Sequence, residues 1–347
     1  MISIIVPVYN AHNTILKCIK SVISQSYGNL EIILVIDGIS DVQEKCLAIC
    51  ESIHDQDGRV KIIVKANNGG VDYARFTGLK AAQGDFVTFL DADDWLEPNA
   101  LDTMYSVMQH DSYDYVEVSS FKCLGPIRQV RHLSLAGPIS SPKLFDNYYV
   151  SFFGQNYLPV SIWGKLYRRK TIENAGLYPS GFAMGEDLVF NMKLFPFLNK
   201  IYLIDKPYYN YRYGGMTSRY NPHLLKDLKA QFLLKLDAID KFSYHKADNS
   251  TRIEMVNVLH SDIKQRLIYL GDQTRDKLVE DIRDEIDEDF WCEVLNITNG
   301  YFDNSPFYIA LMNRDAESLY AICKKEVDST RIQRACKRVA SRILSII

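Results

Sequence analysis

Apolar residues along this chain fall into short uninterrupted runs that alternate with helical stripes. Ile2 to Val8, Glu31 to Ile36, Val60 to Val64 and Phe86 to Leu90 are compact and rich in β-branched and aromatic residues. Each gives way to Asn, Asp or Gly, which predicts buried strands that end in polar loops. Between them Ile15, Cys18, Ile19, Val22 and Ile23, and then Val42, Cys46, Ile49, Cys50 and Ile53, recur at helical spacing. Both segments predict helices that lay one face on a sheet, the first capped by Asn13 or Thr14. A third helix is expected over Val71 to Ala82. The alternation predicts an α/β chain with a doubly wound, mostly parallel sheet and helices on both faces.

Further on, Leu101, Met104 and Met108 mark a helix over Glu97 to Gln109, and Val116 and Val118 alternate as in a strand. Prolines and glycines interrupt Phe121 to Pro142, which suits a variable loop or a hairpin covering the site. Phe145 to Tyr157 holds Tyr148, Tyr149, Phe152 and Phe153, mostly expected in the core, with one or two available to stack on a sugar ring in a groove. Leu188, Val189, Met192 and Leu194 form a helical run, Lys206 to Tyr213 a tyrosine-rich strand, and Arg212 to Arg219 a flap or a solvated loop. Past Asn221 the pattern turns helical, over Leu224 to Phe242, Arg252 to Leu270 and Asp276 to Asp289. The expected organisation is a large α/β domain over 1–220, divided near 120 into two halves. A helical appendage over 221–327 and a terminal helix over 328–347 follow.

A length of 347 residues exceeds what one hydrophobic core usually fills, in keeping with two domains. The net charge of −3 argues against nucleic acid as the main ligand. Seven cysteines, an odd number with no C-x-x-C pair, suit reduced core thiols in a cytosolic protein, and Cys46 with Cys50 suits packing rather than metal ligation. The chain opens directly on Ile2 and carries no apolar run of membrane-spanning length, so neither a signal peptide nor a transmembrane helix is expected.

Candidate chemistry sits at the strand ends. Asp91-Ala92-Asp93-Asp94 follows the strand from Phe86 to Leu90, where ligands of open α/β sheets collect. Hard carboxylate oxygens there suit Mg²⁺ or Mn²⁺, which needs only one or two of them beside a diphosphate. The plainer alternative has Asp94 capping the helix near Glu97-Pro98. Tyr9 offers a ring to a base, Asp37 an acceptor for a base N–H or ribose hydroxyl, and Gly69-Gly70 a close backbone approach. Arg75 stands one turn into the next helix, facing either phosphate or the acidic loop. Glu186-Asp187, at a helix start, suits a cap or a catalytic pair.

Taken together, Pro7-Val8-Tyr9-Asn10, Asp37-Gly38, Asn68-Gly69-Gly70-Val71 with Ala74-Arg75, Gly78-Leu79 and Asp91-Ala92-Asp93-Asp94 resemble the family 2 glycosyltransferases, over about the first 220 residues. The resemblance implies the GT-A fold. It implies that Pro7, Tyr9, Asn10, Asp37, Asn68, Gly70, Arg75, Asp91 and Ala92 hold a nucleotide sugar, with Tyr9 and Asp37 on the base and Asp91 on the ribose. It places Mn²⁺ or Mg²⁺ on Asp93, makes Asp187 the base, and sets Trp163, Lys165 and Glu186 on the acceptor side. Ile36, Phe76 and Gly164 depart from the family pattern, which bears on base, donor-sugar and acceptor contacts.

The function so implied is inverting sugar transfer from a UDP-sugar to a saccharide or lipid-linked saccharide in cell-surface polysaccharide synthesis. A sugar nucleotidyltransferase is disfavoured because Ile2 to Asn10 leads into no glycine-rich phosphate loop. A scaffold that keeps the fold without turnover is disfavoured by Asp91, Asp93 and Asp187. In the last segment Ile332, Cys336, Val339, Ala340, Ile343, Ile346 and Ile347 line one side of a helix, and Arg331, Arg334, Lys337, Arg338 and Arg342 the other. This pattern suits either an anionic membrane surface, on the inner face of the cell membrane, or docking on the helical region. Deleting Ser329 to Ile347 is expected to release the protein from acidic liposomes while sparing donor hydrolysis. Unchanged sedimentation with the liposomes overturns the membrane alternative.

Overall fold

The computed structural model describes residues 1–141, 144, 153, 160–214, 221–270 and 274–330. Most of the Phe145 to Tyr157 aromatics, residues 215–220 of the expected flap and the basic segment from 331 lie outside them. The chain divides into two compact units. One comprises Met1–Tyr149 and Leu158–Gly214, the other Val150–Tyr157 and Gly215–Ile347.

In the first unit the predicted alternation is realised as β1 (Ile2–Val8), α1 (Ile15–Ile23), β2 (Leu30–Ile36), α2 (Asp41–His54), β3 (Val60–Val64), α3 (Val71–Ala81) and β4 (Phe86–Phe89). β1 pairs in parallel with β2 and β4, and β2 with β3. The faces of β1 and β2 are buried along their whole length, hence their unbroken apolar sequence. Cys18, Cys46 and Cys50 pack into the same core.

Pro7 lies within β1 rather than starting the loop, and it does so without breaking the ladder. Residues of a parallel strand aim N–H and C=O to the same side. The Val8 carbonyl accepts from the Asp37 amide just past β2 at 3.0 Å, so Pro7 faces the β4 side. There β1 pairs with β4 only from Ile2 to Ile5, and no donor is missed.

Beyond β4 the sheet becomes mixed. It continues through β5 (Trp95–Leu96), α4 (Ala100–His110), β6 (Tyr115–Leu124), β7 (Ile127–Arg131), β8 (Gly137–Ser140), β9 (Lys165–Arg168), α5 (Arg169–Asn174), α6 (Glu186–Leu194) and β10 (Lys200–Arg212). The strand order is β3-β2-β1-β4-β9-β6-β10-β5, with β7 on β6 and β8 on β10. Residues 121–131 resolve into the hairpin alternative, β6 turning into β7. The helix expected from Glu97 starts only at Ala100, because Trp95–Leu96 first pairs with β10.

The second unit is helical: α7 (Leu224–Phe242), α8 (Asp248–Tyr269), α9 (Arg275–Ile286), α10 (Phe290–Val294), α11 (Pro306–Met312) and α12 (Ala316–Ser329). Its core gathers Phe232, Met255, Leu259, Ile282, Trp291, Leu311 and Leu319. No helix among the described residues is long and apolar enough to cross a membrane.

α3 approaches the sheet closely at Gly78, where a Cβ would lie 2.5 Å from Ile5 Cγ2. Gly78→Ala is therefore expected to destabilise the first unit by about 1–3 kcal/mol through overpacking, read as a lowered unfolding midpoint. An unchanged midpoint contradicts this packing.

Candidate active site

β4 ends at Phe89 and delivers Asp91, Asp93 and Asp94 into one turn, the Asp94 amide donating to the Asp91 carbonyl at 3.0 Å. The three carboxylates have different surroundings. Asp94 is buried and caps no helix. Its Oδ2 accepts from the Tyr209 hydroxyl at 2.6 Å, and its Oδ1 from the Arg212 amide at 2.7 Å. The Asp91 amide in turn donates to the same hydroxyl at 3.4 Å. Burial, followed by the charges of Asp91 and Asp93, pushes the Asp94 carboxyl well above the usual range. Asp93 has no ion-pair partner among the described residues, and burial followed by Asp91 raises it too.

Asp91 turns toward Arg75 of α3. This arginine is 5% exposed, and its fork is fully engaged by acids from two other segments. Nη2 donates to Asp91 Oδ1 at 2.8 Å, while Nη1 donates to Asp187 Oδ1 at 2.7 Å and to Glu186 Oε1 at 3.1 Å. The second oxygen of Asp187 accepts from the Ile162 amide at 3.2 Å. Burial opposes the charge on Arg75, and Asp187, Asp91 and Glu186 outweigh it. Burial raises Asp187, with Arg75 working against the rise. Glu186 is pushed up to about 7 by burial and then by Asp187.

Arg75 was expected on nucleotide phosphate or the acidic loop, and the geometry takes the second course. Asp91, Glu186 and Asp187 thus crowd around one buried guanidinium, while Asp93 and Asp94 share the turn that carries Asp91. This excess of hard oxygen, with Asp93 unpaired, suits a divalent cation. Among the described residues no three His, Cys, Asp or Glu side chains form a metal cage. A cation at Asp93 would therefore complete its shell with water and substrate oxygens.

A second group gathers at the ends of β1 and β2. Val8 pairs with Ile36, so Tyr9, 52% exposed, stands beside Asp37. Asp37 is buried and accepts from Lys65 Nζ at 2.5 Å and from the Gly69 and Gly70 amides at 3.1 and 2.8 Å. It thereby holds the loop that carries Asn68, whose Oδ1 also accepts from Gly70. A Cβ on Gly38 would come within 2.6 Å of the Asn68 nitrogen, which explains the glycine in the Asp37-Gly38 turn. Asn10 takes a left-handed φ of 52° and donates its amide to buried Gln43.

Three expected contact residues take other roles. Lys165 is wholly buried, with Nζ on the Ser161 carbonyl and 3.7 Å from Glu117, so it supports the floor of the site instead of meeting an acceptor. Burial lowers its pKa. Pro7 and Ala92 turn into the core and leave nothing but backbone to a nucleotide. Trp163 is partly exposed next to Ile162, and its ring lies near-parallel to Tyr209 and Tyr211, at 4.4 and 5.5 Å. Tyr209, Lys65 and Gln43 escaped sequence reasoning because each acts on a partner 28 or more residues away, and no local pattern marks such a pairing.

Comparison with known proteins decides the family. A family profile described as glycosyl transferase family 2 matches residues 3–182, more than half of the chain. The chain belongs to that family. This glycosyltransferase is 32% identical over 219 residues to glycosyltransferase GlyA of Streptococcus pneumoniae, covering 61% of this chain and 30% of that relative. It is 29% identical over 246 residues to the uncharacterized glycosyltransferase EpsJ of Bacillus subtilis, covering 68% and 69%. Among solved structures, S. aureus TarS in complex with UDP superposes with a TM-score of 0.67 at 19% identity, over 96% of this chain and 91% of that one. The fold is of the GT-A type.

The raised Glu186 carboxyl makes stability depend on pH. Its unfolded-state value lies near ~4.3, so between there and about 7 the folded glycosyltransferase binds the extra proton and loses stability as pH rises. Glu186→Gln is expected to gain on the unsubstituted protein by up to a few kcal/mol across that window, read by urea unfolding at each pH. A difference that stays constant with pH contradicts the shift.

Proposed function

We propose that the protein transfers a sugar from a UDP-sugar to a hydroxyl of a saccharide or lipid-linked saccharide acceptor, with inversion, in the building of a cell-surface polysaccharide. The observation that carries this reading is the Arg75 fork, which holds Asp91 at the strand-end turn and Asp187 at the start of α6 on the same guanidinium. A donor-side carboxylate and a candidate base are thereby within reach of one reacting centre. TarS, of like fold, has been solved with UDP and with UDP-GlcNAc, which supports the choice of nucleotide. The names of the relatives support sugar transfer.

In the proposed displacement the acceptor oxygen bonds to the anomeric carbon as the bond to the leaving UDP breaks on the opposite face. The acceptor proton passes to Asp187, whose burial raises its carboxyl and makes it a stronger base than an exposed aspartate. Asp91 holds the ribose, and Tyr9 and Asp37 frame the base. Asp93 would hold Mn²⁺ or Mg²⁺, which when bound neutralises charge on the departing diphosphate. Trp163 borders the acceptor beside Ile162.

Isothermal titration with UDP, GDP and CDP, each with Mn²⁺ and then with EDTA, tests the donor side. Metal-dependent binding of UDP that is lost in Asp93→Ala is expected, whereas binding of none of the three favours a scaffold without turnover. Asp187→Asn should lower UDP-sugar turnover by about 10²–10⁴-fold while leaving UDP binding in place. Turnover at the unsubstituted rate removes Asp187 as the base.

A further inference from the structure

We propose that α3 is the strut that holds the donor half and the base in register, and that Arg75 is its positioning residue, acting through Asp91 and Asp187 rather than on the nucleotide. The inference rests on the transfer reading above and adds how the two ends of the displacement are kept aligned.

Three side chains on one face of α3 reach the segment that carries the base. Asp72 Oδ2 accepts from the Ser180 amide at 2.5 Å and the Ser180 hydroxyl at 2.7 Å. Arg75, three residues on, takes Glu186 and Asp187. Phe76, four residues on from Asp72, lies buried with its ring 6.3 Å from Phe190 of α6. Spacing of three and four residues puts all three on the same side of the helix. A neighbouring side of α3 is seated on the sheet, Gly78 allowing the contact with Ile5. Phe76, a departure from the family pattern, thus has a packing role in joining α3 to α6.

The guanidinium is suited to this task by its shape. Its two terminal nitrogens are held in one plane at fixed separation, so carboxylates bound to each are set relative to one another. A lysine ammonium supplies the charge without that spacing. Among the described residues Arg75 Nε is buried with no acceptor, so no tether on that atom competes with the three on the fork. Ile162 fixes the other oxygen of Asp187, leaving the carboxylate little freedom to turn.

The test uses the full-length protein, with hydrolysis of UDP-GlcNAc as the probe of turnover and titration with UDP as the probe of donor binding. Arg75→Lys and Arg75→Ala are both expected to lose about 100-fold in kcat, the size of effect that small misplacement of a reacting group causes, with donor KM and UDP affinity within about fivefold of the unsubstituted protein. Guanidinium ion should restore at least about tenfold in Arg75→Ala and methylammonium should not. The acid limb of the pH–rate profile should move to higher pH in Arg75→Ala, because the cation that held Asp187 down is gone. Full kcat in Arg75→Lys overturns the proposal, as does a loss confined to KM and UDP affinity.

A double-mutant cycle on thermal unfolding between Arg75→Met and Asp187→Asn tests the pairing without reference to turnover. Non-additive midpoints are expected, and additive ones overturn it. If the unsubstituted protein neither binds UDP nor hydrolyses UDP-GlcNAc, the transfer reading fails on its own terms, and the cycle still decides the strut.

Discussion

The site is built on a buried cation that is outnumbered by its anions. Withdrawing an ion from water costs several kcal/mol, and Arg75 remains charged because Asp91, Asp187 and Glu186 reach it at 2.7–3.1 Å. The same crowding acts back on the acids. Where one guanidinium serves three carboxylates in a low dielectric, some of them are driven to hold protons more tightly, and Glu186 shows this most plainly. Removing the arginine would leave several uncompensated buried charges at once. The positions of β4, α3 and α6 are therefore tied to one another by electrostatics as much as by packing.

A second constraint keeps the acidic turn rigid. Asp94 spends its carboxylate on the Tyr209 hydroxyl and the Arg212 amide, so β10 closes over the turn from a place 115 residues along the chain. Stacking of Trp163 against Tyr209 and Tyr211 draws the segment before β9 to the same strand. Three adjacent-looking acids thereby divide their labour: Asp94 braces, Asp91 pairs with Arg75, and Asp93 forms no ion pair among the described residues. The contrast matters for chemistry, since only a carboxylate without a cation of its own is ready to accept one.

The strand ends of the first unit follow the same economy of contacts. Asp37 is engaged by Lys65 and two loop amides, and through them it shapes the wall beside exposed Tyr9. Lys165, which composition alone would place at a surface, is buried on Glu117 and a carbonyl because β9 is central in the sheet. Such residues make the site by positioning others. In the helical unit the amphipathic stripes close around Trp291; of the cysteines among the described residues, Cys18, Cys46, Cys50, Cys123 and Cys323 are buried as small apolar groups, whereas Cys292 is exposed and is no core thiol.

Local physics was enough for much of this. Short unbroken β-branched runs that end in polar turns read as strands, and stripes of 3.6-residue period as helices lying on them, so β1 to β4 and α1 to α3 were legible from the chain alone. So were the acidic turn after β4 and the Glu186-Asp187 pair, because a sudden cluster of carboxylates after a buried strand, or at a helix start, is a local event. In the mixed half β6 and β10 were legible, but β5 and β9 were not, since β5 has two residues and β9 four, too few to show a period. Nor was the use of each acid. Whether an aspartate braces a strand, pairs with an arginine or stands free depends on partners such as Tyr209 and Arg75, brought to it across 115 and 16 residues by the closing of the sheet. Tertiary structure alone sets those distances, and with them the burial and charge that decide which carboxylate does what.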